Sequence, residues 1–222
     1  MTPEPKRVRT GVLISGRGSN LQALIDACED PESPAEIGLV LSNDPDAKGL
    51  ARAAKAGIET AVVGHRDYPD RPSFERAMSR RLEEAGVQLV CLAGFMRLLT
   101  ETFVDHWFDR LINIHPSLLP AFKGLDTHAR VITAGARFTG ATVHFVRAAM
   151  DDGPIIIQAA VPVLPDDDEE SLAARVLAAE HRIYPAALNL VAAGRTRVTD
   201  DRVEIDRYQA PAEFLMNPLE NP

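Results

Sequence analysis

Only two cysteines, Cys28 and Cys91, occur in the 222 residues, and they form no Cys-x-x-Cys pair. That scarcity argues against a disulfide scaffold and a thiolate zinc site, and it suits a reducing compartment. Both cysteines read as small core residues. No apolar stretch approaches the roughly 18 residues needed to cross a bilayer. The N-terminal MTPEPKRVRT also lacks the apolar centre of an export signal. A soluble, cytoplasmic protein with no membrane partner is expected. Positive charge is scarce too: 24 Lys and Arg stand against 32 Asp and Glu, for a net charge of −8. Non-specific nucleic-acid binding, which depends on positive charge, is therefore not expected. A small anionic ligand remains possible, because a few arginines or backbone amides can build a local site. Internal repeats and low-complexity linkers are absent, and the length suits one large domain or two small ones.

What is present is an alternation of short apolar runs with amphipathic stretches. Strands are expected at 8–14, 37–41, 59–63, 87–93 and 111–114, with helices at 20–27, 47–56 and 72–85, the last two stopped by Gly57 and Gly86. The run at 87–93 is continuously apolar, as in strands buried on both faces. Such βαβ units imply a parallel sheet. Farther on, 141–146 and 155–163 read as longer, antiparallel strands flanking a turn at Asp151-Asp152-Gly153-Pro154. The acidic run 166–170 reads as a solvated helix start, and the helix 171–193 contains Pro185, which should end or kink it. The tail reads as a short hairpin and a loose end.

Four segments carry candidate chemistry. In Asn113-Ile114-His115-Pro116-Ser117-Leu118-Leu119-Pro120, period-two spacing puts the Asn113 amide and the His115 imidazole on one side of an extended segment. Such a pair suits holding an oxyanion and moving a proton, although the spacing also fits an Asn- and Pro-rich turn with a surface histidine. Ser15-Gly16-Arg17-Gly18-Ser19-Asn20 joins the first strand to the first helix. Its glycines and free helix-start amides favour an anion, or it is a plain turn. Leu21 replaces the third glycine of a dinucleotide loop, and no Lys-Ser/Thr pair marks a triphosphate loop, so a single phosphate fits better. Residues 93–99, after the buried fourth strand, either line a pocket for a flat heterocycle or pack as ordinary strand-to-helix connection. Asp151 would favour a charged His115 if the two met, although on spacing alone a solvent-facing turn is the better reading. His144 reads as a satisfied core histidine, while His65, His106, His128 and His181 carry no local signal.

Together these pieces resemble the phosphoribosylglycinamide formyltransferase family, folate-dependent enzymes of purine synthesis. The matching residues are 14–23, Leu92-Ala93-Gly94-Phe95-Met96-Arg97, 113–120, Val143-His144-Phe145-Val146 with 151–154, and Glu180-His181 with Tyr184-Pro185. The histidine loop is shared by formyltransferases at large, and the Ser-Gly-x-Gly-Ser-Asn start is the more discriminating piece. The resemblance implies an α/β fold: a Rossmann-like, mostly parallel sheet flanked by helices, with antiparallel strands in the C-terminal half. It places a single formyltransferase domain at 1–200, with a phosphate-binding half at 8–110, a catalytic and folate-binding half at 111–195, and a C-terminal strand and tail at 201–222.

The implied catalytic group is Asn113, His115 and Asp151. Gly18, Ser19, Asn20 and Glu180 would hold glycinamide ribonucleotide. Arg71, Met96, Arg97, Leu98, Leu99 and Asn113 would line the pocket of 10-formyltetrahydrofolate, the co-substrate, together with Arg147, Ala148, Ala149, Met150 and Asp151. No metal is implied, and a monomer or homodimer is expected. Asp126 departs from the pattern, because many relatives have a histidine there. The runner-up activity is formyltetrahydrofolate hydrolysis, whose enzymes usually carry an extra N-terminal regulatory domain. Methionyl-tRNA formyltransferase would need a basic extension that this acidic chain lacks. A non-catalytic folate-binding module is the reading from a different class.

Overall fold

The structure, a computed structural model, describes residues 7–210 and Asn217. Strands β1 (Val8–Ile14), β2 (Ala35–Ser42), β3 (Thr60–Val62), β4 (Leu89–Leu92) and β5 (Leu111–His115) run parallel. Antiparallel β6 (Phe138–Phe145) and β7 (Ile155–Pro162) extend the sheet, giving the order β3-β2-β1-β4-β5-β6-β7. Because β1 sits between β2 and β4, the winding direction reverses there. Connections that leave β1 and β4 part at this point and open a crevice at the strands' C-terminal ends.

Alternation along the strands feeds two cores. Val12 and Ile14 of β1 pack with Cys91 of β4 and Ile112 and Ile114 of β5 on one face. That face is covered by α1 (Ser19–Cys28) and α6 (Glu169–Ala192), with α2 (Lys48–Lys55) and α5 (Thr127–Thr133) beside them. Leu13, Val90, Leu92 and Leu111 point the other way, against α3 (Arg71–Glu84) and α4 (Glu101–His106). Asn113, His115 and His144 share the parity of Leu111 and so lie on this second face. There α3 and α4 give way to the loops 116–126 and 146–154.

Helix α6 continues through Pro185, so the proline does not end it. An interior proline costs about 3 kcal/mol. Here Ile183, Tyr184, Ala187 and Leu188 are buried on both sides of it, and the Tyr184 hydroxyl donates to the Leu92 carbonyl at 2.9 Å. Packing outweighs the lost helix bond. Asp168 caps the helix with Ser171 in a reciprocal capping box, so the acidic run is a helix start as expected. It is not solvated throughout, because Asp167 is nearly enclosed and holds Arg175 through two bonds of 2.7 and 2.8 Å. That guanidinium keeps the Asp167 carboxyl far below the usual carboxylate range.

Other boundaries differ modestly. The third strand shrinks to the exposed edge Thr60–Val62, and the fourth to Leu89–Leu92. Helices α4 and α5 were not legible, being six and seven residues long and too short to show a period. Cys91 is buried as expected, whereas Cys28 at the end of α1 is only half-buried. The tail hairpin forms as β8 (Thr196–Thr199) and β9 (Arg202–Ile205), and its turn falls at the boundary drawn at residue 200. The expected loose end at 211–216 and 218–222 lies outside the described residues. No helix among the described residues is long and apolar enough to cross a membrane.

Candidate active site

Strand β5 delivers Asn113 and His115 to one face, and the 146–154 loop folds back over that face with Asp151 at left-handed φ 52°. Asp151 Oδ2 lies 3.4 Å from His115 Nδ1 and accepts the Gly124 amide at 2.8 Å. His115 Nε2 donates to the Phe122 carbonyl at 3.0 Å, so both ring nitrogens face oxygen acceptors. The ring is 6% exposed. The Asp151 carboxylate and the Phe122 carbonyl thus fix the orientation of the imidazole ring. The solvent-facing turn is thereby set aside.

His144 settles the orientation of the amide. Its Nδ1 donates to the Phe145 carbonyl at 2.8 Å, leaving Nε2 to accept Asn113 Nδ2 at 3.3 Å. Burial pushes the His144 pKa down, which keeps this ring neutral and its acceptor available. The sequence reading of His144 as a satisfied core histidine holds, but its hold on Asn113 was not legible. The signal lies in the β5–β6 register, which sets Asn113 opposite His144. Gly153 lets the loop close, since a Cβ there would fall 1.7 Å from the Phe145 oxygen.

At the crevice beside β1, Gly18 takes φ 70° and precedes α1, which has no side-chain cap and no acidic residue in its first turn. Free amides of Ser19 and Asn20 therefore open onto an uncapped, partly positive helix start. Helix α2 braces this turn: the Gly49 amide donates to the Gly16 carbonyl at 3.0 Å, and a Cβ on Gly18 would meet Gly49 Cα at 2.7 Å. Arg52, one turn on, donates through Nε to the Arg17 carbonyl at 3.0 Å. Neither residue carried a sequence signal, because their relevance depends on α2 docking there.

Asn20 and Glu180 meet behind the turn, Nδ2 to Oε2 at 2.7 Å, while Asn20 Oδ1 is buried without a protein partner. Burial raises the Glu180 pKa. A raised folded-state carboxyl pKa stabilises the fold below the ordinary glutamate value, and that stability is lost as pH climbs through the raised value. Glu180→Gln is therefore expected to flatten the decline in thermal midpoint as pH rises above the ordinary glutamate range. A variant that declines as steeply as the parent protein would contradict a strained, ionising Glu180.

The two crevice loops are stapled together. Ser15 donates its amide to Gly94 O at 3.1 Å and accepts the Met96 amide at Oγ at 2.8 Å, while Oγ donates to Asn43 Oδ1 at 2.5 Å. Beyond the staple, Met96 and Leu98 are 69% and 60% exposed. Across the β5 face, Leu125 and Met150 are also exposed. Apolar side chains therefore rim the Asn113–His115–Asp151 group on both sides. Arg97, Ala148 and Ala149 are exposed along the rim, and Leu99 is half-buried. Arg71 opens α3 on the β3 side of the same edge, with no hydrogen bond to the group. The Arg147 guanidinium is turned away into ion pairs with Asp109 and Asp201. Among the described residues, no group of three or more His, Cys, Asp or Glu side chains is set to hold a metal ion.

Comparison with known proteins identifies the family of the chain. The family model described as formyl transferase matches residues 8–188. Phosphoribosylglycinamide formyltransferase of Escherichia coli is 42% identical over 202 residues, covering 91% of this chain and 95% of that protein. The crystal structure of glycinamide ribonucleotide transformylase 1 from Symbiobacterium toebii superimposes with a TM-score of 0.88 at 48% identity, over 90% of this chain and 94% of that one. Trifunctional purine biosynthetic protein adenosine-3 of Bos taurus is 51% identical over 89% of this chain, which spans only 20% of that longer protein. The chain belongs to the formyl transferase family, within its phosphoribosylglycinamide formyltransferase group.

Proposed function

We propose that the protein transfers the formyl group of 10-formyltetrahydrofolate to the amine of N1-(5-phospho-D-ribosyl)glycinamide, a step of purine biosynthesis. The convergence of Asn113, His115 and Asp151 between a phosphate-type turn and an apolar rim carries this reading. Gly18, Ser19 and Asn20 hold the phosphate through the free helix-start amides. Glu180 and the unpaired Asn20 Oδ1 supply acceptors for hydrogen-bond donors elsewhere on the same substrate. The folate occupies the rim formed by Met96–Leu99 and the 147–151 segment, with Asn113 at its inner end and Arg71 towards solvent.

The substrate amine attacks the formyl carbon, forming the new C–N bond and moving the carbonyl π electrons onto oxygen. Asn113 Nδ2 offers that oxygen its second hydrogen, the first being held by His144. Cationic His115 offers Nε2–H, with the formyl oxygen displacing the Phe122 carbonyl, and Asp151 balances the ring charge. Collapse restores the C=O bond and breaks the bond to folate N10. The amine's surplus proton is relayed to that nitrogen, so no net proton is consumed.

The test supplies 10-formyltetrahydrofolate with and without glycinamide ribonucleotide. Release of tetrahydrofolate only when the amine is present is the expected result. Equal release in its absence identifies a hydrolase instead, and release in neither case identifies a binding module.

A further inference from the structure

Arg147 differs from its neighbours in the 147–151 segment. Every nitrogen of its guanidinium already has a partner: Nη2 lies 2.8 Å from Asp109 Oδ1, Nε lies 3.1 Å from Asp201 Oδ1, and Nη1 donates to the Val146 carbonyl at 3.1 Å. The fork stacks on the Phe108 ring at 4.2 Å, and the side chain is only 14% exposed. Three of the five N–H donors are used this way, one from each nitrogen, so the fork is held in place by its own chain. Its partners come from two other segments: Phe108 and Asp109 precede β5, and Asp201 sits in the turn of the β8–β9 hairpin.

Both aspartates hold left-handed backbone, φ 53° at Asp109 and 56° at Asp201. Aspartate tolerates that region as asparagine does, so both turns accept it, and both side chains face the same guanidinium. Their shared property is a carboxylate aimed at one cation.

We infer that Arg147 is a positioning residue that clamps the base of the 146–154 loop to the C-terminal hairpin, making that hairpin part of the formyl-folate site. The loop has two anchored ends. Arg147 fixes the first, and the contact of Asp151 with His115 and the Gly124 amide fixes the second. Between them Ala148, Ala149 and Met150 face solvent with no such restraint. Releasing the base lets this wall fluctuate, and each binding event must then order it again. The inference rests on the co-substrate reading above.

Asp201→Asn and Asp201→Gly separate positioning from folding, because both residues suit left-handed backbone and only the charge is lost. The expected result is a KM for 10-formyltetrahydrofolate raised about two- to fivefold, the range for a largely exposed ion pair. The KM for glycinamide ribonucleotide and the thermal midpoint should be unchanged. Amide hydrogen exchange should accelerate across 146–154 and not in β5. Arg147→Met, which breaks both ion pairs and keeps the apolar stem, should raise the folate KM further. An unchanged folate KM in the Asp201 variants, or an equal rise in both KM values, overturns the clamp. A parent protein that does not turn over 10-formyltetrahydrofolate overturns the function reading instead, so the two failures are told apart.

Discussion

His115→Ala is expected to lower kcat for formyl transfer by about 10²–10⁴, the usual contribution of a positioned proton-transfer group. The fold should survive, because the ring sits at the end of β5 against two loops and fills no part of either apolar core. Its main tertiary bonds are to the Phe122 carbonyl and to Asp151. Asp151→Asn tests the charge separately. Asparagine can still accept the Gly124 amide, so the loop stays anchored while the counter-charge to the ring disappears. Turnover should therefore fall sharply while the far-ultraviolet spectrum and the thermal midpoint remain near the parent values. Rapid turnover in either variant would remove His115 and Asp151 from the chemistry.

The second large effect is at Asn113. Replacing it by alanine deletes one oxyanion donor, and such donors are worth about 10²–10³ in kcat. The size depends on preorganisation, which this structure supplies in an unusual way. Neutral, buried His144 takes one amide hydrogen at Nε2, so the other points to a fixed place before any substrate arrives. Asn113→Asp is a sharper version, since it removes the donor and sets a negative group beside the developing oxyanion. It should be slower than the alanine variant in single-turnover measurements. An aspartate variant as fast as the parent protein would mean that Asn113 does not meet the oxyanion.

Much of the architecture was legible because it is written in local chemistry. The β1 bounds Val8–Ile14 were read directly from a short apolar run, whose Val12, Leu13 and Ile14 the fold sends alternately into opposite cores. Gly18 before an uncapped helix and Asn113 two residues before His115 are likewise local signals. What was not legible depends on docking. A local rule allowed Pro185 to end α6, yet the helix continues past it with Tyr184 and Leu188 buried on either side. Gly49 and Arg52 matter only because α2 lies against the glycine-rich turn before α1. Asp201 is 54 residues from Arg147, and nothing in either segment announces their contact.

The sequence by itself determined the parallel α/β half, the glycine-rich turn before α1 and the placing of Asn113 and His115 on one side of a strand, since apolar runs, backbone freedom and side-chain spacing act over a few residues. Tertiary structure alone decided which carboxylate meets His115, which histidine orients Asn113, and where the Arg147 charge is spent. Those outcomes rest on the antiparallel β5–β6 register and on a left-handed loop that carries Asp151 across 36 residues to a 3.4 Å contact. Electrostatic contacts of that kind fall off within a few ångströms, so they follow from the folded distance and not from separation along the chain.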